Sequence, residues 1–286
     1  MVYSLGSIGL IFRMSNTPSS HCRNCDHSLN SNYCPNCGQR NLDFRRDWRG
    51  LIGEYASSFL NIDGKITRGI IQLLFRPGLS TQLFLAGKRA SQIPPLRLYL
   101  FASLMFFLWF TNQQGDLIFN SSDPEQTQAK IDYAQTEGQP EFAKEFAKKL
   151  ENPAAVQATF NTWLPRVFLL GVPLLALASR ILFFKREYVY LEHIIISMHL
   201  QTFLLLWIFL VGIFSNLVGL IHSPTGGLFW NVFIWWIQLY PVFALKRIFQ
   251  LSWLKAIGTT IALEIVTFAL FTFGMATVIL ISFWLA

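Results

Sequence analysis

Beyond residue 94 the chain falls into five apolar runs separated by short polar breaks, at 95–112, 164–184, 194–221, 228–245 and 257–285. Each lies near the roughly 17–25 apolar residues that a helix needs to cross a bilayer, and the third is long enough to tilt. The pattern predicts an all-α polytopic membrane protein with about five transmembrane helices. Pro94 and Pro95 suit the start of the first run. Gly171 and Pro173 interrupt the second, and the fourth carries Trp235, Trp236 and Pro241. One long polar segment breaks the series, a predicted extracytoplasmic loop over 113–163. Within it Phe142, Phe146 and Leu150 make one stripe, and Glu145 can pair with Lys148 or Lys149. That spacing predicts an amphipathic helix ended by Asn152-Pro153.

Upstream of residue 94 the pattern is mixed. Residues 1–21 read as a flexible leader. The apolar stretch Leu5–Phe12 is too short to span and lacks the basic start of a signal peptide. Met14, just ahead of a Ser/Asn/Pro run, is an alternative start. Residues 41–93 are basic and amphipathic, with Trp48, Leu51, Ile52, Tyr55, Phe59 and Leu60 at helical spacing behind Arg45, Arg46 and Arg49. A second helical stretch, Ile66 to Phe75, ends at Arg76-Pro77-Gly78. A third, Leu79–Leu85, precedes Gly87-Lys88-Arg89. These predict helices lying at the cytoplasmic membrane surface, their basic side chains meeting anionic head groups. A small helical subdomain covering the segment before them is the other reading.

That segment, 22–40, holds all four cysteines of the chain, as Cys22-Arg-Asn-Cys25 and Cys34-Pro-Asn-Cys37. Each Cys-x-x-Cys pair turns two thiolates toward one ion, and the short connector brings both pairs together as a tetrahedral sulfur cage. The expectation is a zinc ribbon with one structural zinc per chain, rubredoxin-like iron being the other metal reading. Gly38 supplies the permissive backbone beside the second turn. A closed four-thiolate site leaves no position for a reactive water and no thiol for catalysis.

Charge orients the spans. Only 14% of the 286 residues are charged and 52% are hydrophobic, against a usual charged share of about 25%. The formal net charge of +7 is concentrated at the amino-terminal end, whereas the loop 113–163 is acidic. With five spans, Lys88/Arg89/Arg97, Arg180/Lys185/Arg186 and Lys246/Arg247/Lys255 all fall on one side, and only Arg166 opposes the bias. The positive-inside rule then places the N-terminus in the cytosol and the C-terminus outside. In that reducing compartment the thiols read as metal ligands rather than disulfides. The arginines continue up to the first span, so the membrane boundary explains them better than nucleic acid does.

Ionisable residues in the apolar runs are the remaining candidates for chemistry. Glu192, His193, His199 and Gln201 lie at the inner end of the third run, with Thr202 beside them, and Glu264 stands alone in the fifth. Glu192 and His199 share a helical face, while His193 and His199 diverge by about 120°. Such groups usually face a bundle interior or a cavity. They could relay a proton, bind a transported cation or hold a metal; interfacial anchoring and an interhelical hydrogen bond are the plainer roles. No phosphate loop, nucleophile elbow, His-Glu-x-x-His or dinucleotide fingerprint occurs.

Several phrases together carry a likeness: Tyr33-Cys-Pro-Asn-Cys-Gly-Gln39, Leu60-Asn-Ile-Asp-Gly-Lys65, Arg76-Pro-Gly78, Gly87-Lys-Arg89, Pro95-Leu-Arg-Leu-Tyr-Leu100 and Tyr190-Leu-Glu-His193. In this order the chain from Cys22 onward resembles the bacterial domain-of-unknown-function 3667 family. The resemblance implies an integral protein of the bacterial inner membrane with an N-terminal zinc-ribbon-like segment and no assigned activity. Where that family's pattern carries His-x-His, this chain has His199-Leu-Gln201, which weakens a metal site there. The expected function is a membrane-embedded scaffold whose cytosolic zinc ribbon docks a protein partner. A small-solute or ion transporter is the alternative, and a membrane metalloenzyme or lipid-modifying enzyme a third.

Overall fold

The computed structural model of the chain describes residues 20–41, 65–113, 140, 153–218 and 226–285. Most of the leader, the Trp48–Leu60 stretch, the Phe142–Leu150 stripe, and residues 219–225, which hold the last three residues of the third run and the start of the turn after it, lie outside the described residues. Within them the protein is all-helical apart from two isolated β-bridges. The helices are α1 (Lys65–Phe75), α2 (Leu79–Leu85), α3 (Pro95–Gln113), α4 (Pro153–Leu182), α5 (Tyr190–Val218), α6 (Gly226–Phe249) and α7 (Trp253–Leu285).

Among the described residues three helices are long and apolar enough to cross a membrane: Ala155–Leu182, Tyr190–Asn216 and Trp253–Ser282. They correspond to the second, third and fifth apolar runs. The first and fourth runs also form single helices, α3 and α6.

The second run differs from expectation at its start. Helix α4 begins at Pro153, inside the segment read as loop, and continues through Pro165 and Pro173. Pro153 occupies the first helical position, where a missing N–H costs nothing. Val156, Phe160 and Leu164 then bury one face at four-residue spacing. Gln157, Thr159 and Asn161 dilute that stripe and made the segment look polar.

The bundle is built by α5 packing against α3 and α4, α4 against α7, and α6 against α7. Buried apolar area drives little association between helices in lipid, so close fit takes over. Gly212 of α5 lies against the indole of Trp109 on α3, and Gly274 of α7 against Val167 of α4. Phe203 stacks on Tyr240 with ring centroids 3.5 Å apart, and Phe183 on Phe249 at 3.8 Å.

Helices α1 and α2 do more than rest on a surface. Leu73, Leu74, Ser80, Thr81, Phe84 and Leu85 are buried, and the pair packs against α5 and α6. Gly78 makes the turn between them with φ 72°, and a Cβ there would sit 2.7 Å from the Ala244 carbonyl oxygen. Carbonyls at the end of α1 and in its turn have no helical acceptor role left to fill, and α6 supplies donors. Tyr240 Oη donates to Leu73 O (2.7 Å), Trp236 Nε1 to Leu74 O (3.3 Å) and an Arg247 guanidinium nitrogen to Pro77 O (2.8 Å).

Short connections join α4 to α5 and α6 to α7, and Tyr188 Oη donates to Ile248 O across the two (3.1 Å). Arg180, Lys185, Arg186, Lys246, Arg247 and Lys255 therefore lie at one end of the bundle, with the α1–α2 turn beside Arg247.

Candidate metal centre

The four sulfurs come together although the two Cys-x-x-Cys pairs lie eight residues apart. Their Sγ atoms all fall within 4.8 Å of one another. Cys22 and Cys37, and Cys25 and Cys34, approach to 3.5 Å, far beyond the roughly 2.05 Å of a disulfide bond. A tetrahedral ion with metal–sulfur bonds of about 2.3 Å would set its ligands about 3.8 Å apart, so the cage fits a metal such as zinc.

Two near-identical turns build this cage, offset by twelve residues. In the first, Cys22 N donates to His27 O (2.8 Å) and Asp26 N to Cys22 O (2.8 Å). In the second, Cys34 N donates to Gln39 O (2.9 Å) and Gly38 N to Cys34 O (2.9 Å). An antiparallel bridge closes each, His21 to Ser28 and Tyr33 to Arg40. The residue after the second cysteine is left-handed in both, Asp26 at φ 62° and Gly38 at φ 72°. Asp is among the few residues that tolerate this region without glycine's freedom.

The thiols differ in their surroundings. A backbone hydrogen bond at His27 lowers Cys25 to about 7, whereas burial pushes Cys37 up to about 12. A metal that gathers all four as thiolates must displace protons.

Residues between and after the cysteines fasten this module to the helices, a role the cysteine pattern does not announce. Gln39 Nε2 donates to Gly87 O (2.8 Å), and its Oε1 accepts from Arg89 N and Ala90 N (both 3.0 Å). Asn24 Oδ1 accepts from Ser91 N (3.3 Å). Gly87, at φ 86°, leaves room for the Arg23 stem, whose Cδ would lie 2.8 Å from an added Cβ. The Gly87-Lys-Arg89 phrase is thus the receptor for the Cys-Gly-Gln39 phrase. The receptor loop leads directly into Pro95 and α3.

The polar residues of the apolar runs do not converge on one another in hydrogen bonds among the described residues, and most have partners of their own. Glu192 is fully buried, and its Oε2 accepts from Val189 N (2.7 Å), the carboxylate arm of a capping box at the start of α5. His193 Nδ1 bonds Ser179 Oγ of α4 (2.8 Å), and its ring stacks on Phe249 (5.9 Å). His199 Nδ1 bonds Thr81 Oγ1 of α2 (2.9 Å). Gln201 lies beside Gly171 of α4, with its Oε1 buried and unpartnered. On α7, Glu264 faces Gln238 of α6, whose terminal amide reaches both carboxylate oxygens (2.9 and 3.1 Å) once its nitrogen is turned toward them. Among the described residues no hydrogen bond joins Glu264 to either histidine. Thr81, Ser179 and Gln238 are ordinary polar residues in sequence, and only the packing reveals them as partners.

No curated protein and no solved structure matches the chain. A family model does match, over residues 63–107, which run from just before α1 through the α1–α2 pair and the docking loop into α3. Its description is Protein of unknown function (DUF3667), the same family that the sequence phrases resemble.

Proposed function

We propose that the protein is a membrane-embedded docking platform: a zinc-bound cysteine module held at the cytosolic face of a five-span bacterial inner-membrane bundle, presenting its outer turn to a protein partner. The observation that carries this reading is the clamp formed by Gln39 and Asn24. A tethered metal module would hang from a linker, whereas these contacts fix its orientation on the bundle. The second turn meanwhile leaves Tyr33 more than half exposed, with the Arg40 guanidinium 6.0 Å from its ring centroid. An exposed aromatic beside an arginine is the composition that interface hot spots favour. On this reading α3 and α6 cross the bilayer as well, which places the N-terminus inside and the C-terminus outside.

The test is site-specific photo-crosslinking in native membranes, with the crosslinker at Tyr33 or at Leu29. One discrete protein adduct from Tyr33, abolished by Cys34→Ser, is the expected result. Adducts that ignore the metal module, or none from Tyr33, would refute the platform. A transport reading draws on Glu264, a carboxylate held by Gln238 within a helix able to span the membrane. It expects ion or proton flux in liposomes that Glu264→Gln abolishes.

A further inference from the structure

Between the metal module, α1 and the docking loop lies a cavity of about 330 Å³, walled by Asn24 and Cys37, by Arg68 and Gln72, and by Ser91 and Gln92. We infer that it is a binding site for a phosphate group, the phosphate being either that of a phospholipid head group or that of a soluble phosphate ester. This inference stands apart from partner docking, because the cavity faces the helices rather than the exposed turn.

The chemistry of the walls points to an anion. Among the described residues no carboxylate lines the cavity. Arg68 is exposed and makes no hydrogen bond or ion pair among the described residues, so its planar fork is uncommitted. The Gln92 amide uses its oxygen to accept from Gln72 (2.9 Å), and the Asn24 amide uses its oxygen to accept from Ser91 N (3.3 Å). Both amides therefore keep their N–H groups for a ligand. Gln72 spends its own N–H groups on Ser80 and Gln92, which leaves its oxygen as an acceptor in the wall beside the Ser91 hydroxyl. A guanidinium with two amide donors is a set suited to phosphate oxygens, which arginine meets with two parallel bonds. A metal-bound tetrathiolate would carry two negative charges nearby, and the exposed Lys88 of the docking loop adds a positive charge on the same joint.

Position supports the lipid source. The wall residues Ser91 and Gln92 immediately precede Pro94-Pro95, where α3 enters its apolar stretch. On the proposed five-span reading, on which this lipid assignment rests, that is the level at which head groups stand beside a membrane helix.

The metal-loaded full-length protein in phosphatidylcholine nanodiscs, with and without phosphatidylglycerol, provides the test. Native mass spectrometry counts retained lipid, and glycerol 3-phosphate and inorganic phosphate are titrated separately. Arg68→Gln should lose about 10-fold or more in affinity for whichever phosphate binds, and Arg68→Lys should lose less. Phosphatidylglycerol alone binding in an Arg68-dependent way assigns the site to lipid; glycerol 3-phosphate binding equally well assigns it to a soluble ester. Should Arg68→Gln lose its metal, Gln92→Leu replaces it as the probe. Equal binding by wild type and these variants for every probe overturns the inference, whatever crosslinking at Tyr33 reports.

Discussion

Replacing Gln39 with alanine removes the whole of the clamp's principal side chain. Three hydrogen bonds disappear, one donated to Gly87 O and two accepted from Arg89 N and Ala90 N. Each is worth about 0.5–1.5 kcal/mol net, and their partial exposure favours the lower half of that range, so the sum is about 2 kcal/mol. Only the ordered module can dock, and order in such a module comes from its metal. Docking therefore adds to metal affinity by linkage. A loss of about 2 kcal/mol corresponds to roughly 30-fold weaker zinc binding, measured by chelator competition on the purified protein. Gln39→Glu keeps both acceptor contacts but sets a carboxylate oxygen against Gly87 O, so it should fall between the two. Amide exchange at Arg89 and Ala90 gives the second readout, with faster exchange in Gln39→Ala. Unchanged exchange there together with zinc affinity within about 3-fold of wild type would refute the clamp.

Other substitutions probe different joints. Gly78→Ala combines a left-handed backbone with a Cβ 2.7 Å from a main-chain oxygen of α6, so it should destabilise the protein by more than about 2 kcal/mol; thermal unfolding in detergent reads this, and an unchanged midpoint refutes it. Thr81→Val and His199→Leu each break one buried hydrogen bond and leave the partner unsatisfied, costing about 1–3 kcal/mol. The double variant should cost less than the sum, and strict additivity in a double-mutant cycle would show the two side chains uncoupled. Metal binding releases thiol protons, so affinity should fall steadily as the pH is lowered. Acidification or a chelator should expose the 87–91 amides to exchange; metal retention independent of pH would count against a four-thiolate site.

The helices were legible because lipid imposes one rule on every residue of a span: backbone polar groups must be satisfied within the segment, so an apolar run of sufficient length becomes a helix. The α1 and α2 boundaries were equally plain, since Arg76-Pro77-Gly78 is a strong stop. The start of α4 was missed because a face of Val156, Phe160 and Leu164 is hidden among Gln and Thr when hydropathy is averaged. The cage was readable from cysteine spacing alone, its geometry being local. Its attachment was not, because Gln39 and Gly87 are almost fifty residues apart and neither looks unusual. His199 and Glu264 stand out in the apolar runs, but their partners Thr81 and Gln238 do not. Side-chain pairs that long-range packing creates leave no periodic trace in a single chain.

The donors that α6 extends to the end of α1 also set an order of events during synthesis. Leu73, Leu74 and Pro77 find their partners 162 to 170 residues later in the chain, whereas the cage closes within sixteen residues of its first cysteine. The metal module can mature while the ribosome is still making α3, yet the α1–α2 pair must wait for α6 before its free carbonyls are sealed. Until then the four-cysteine module sits on an unfinished seat, which α6 completes.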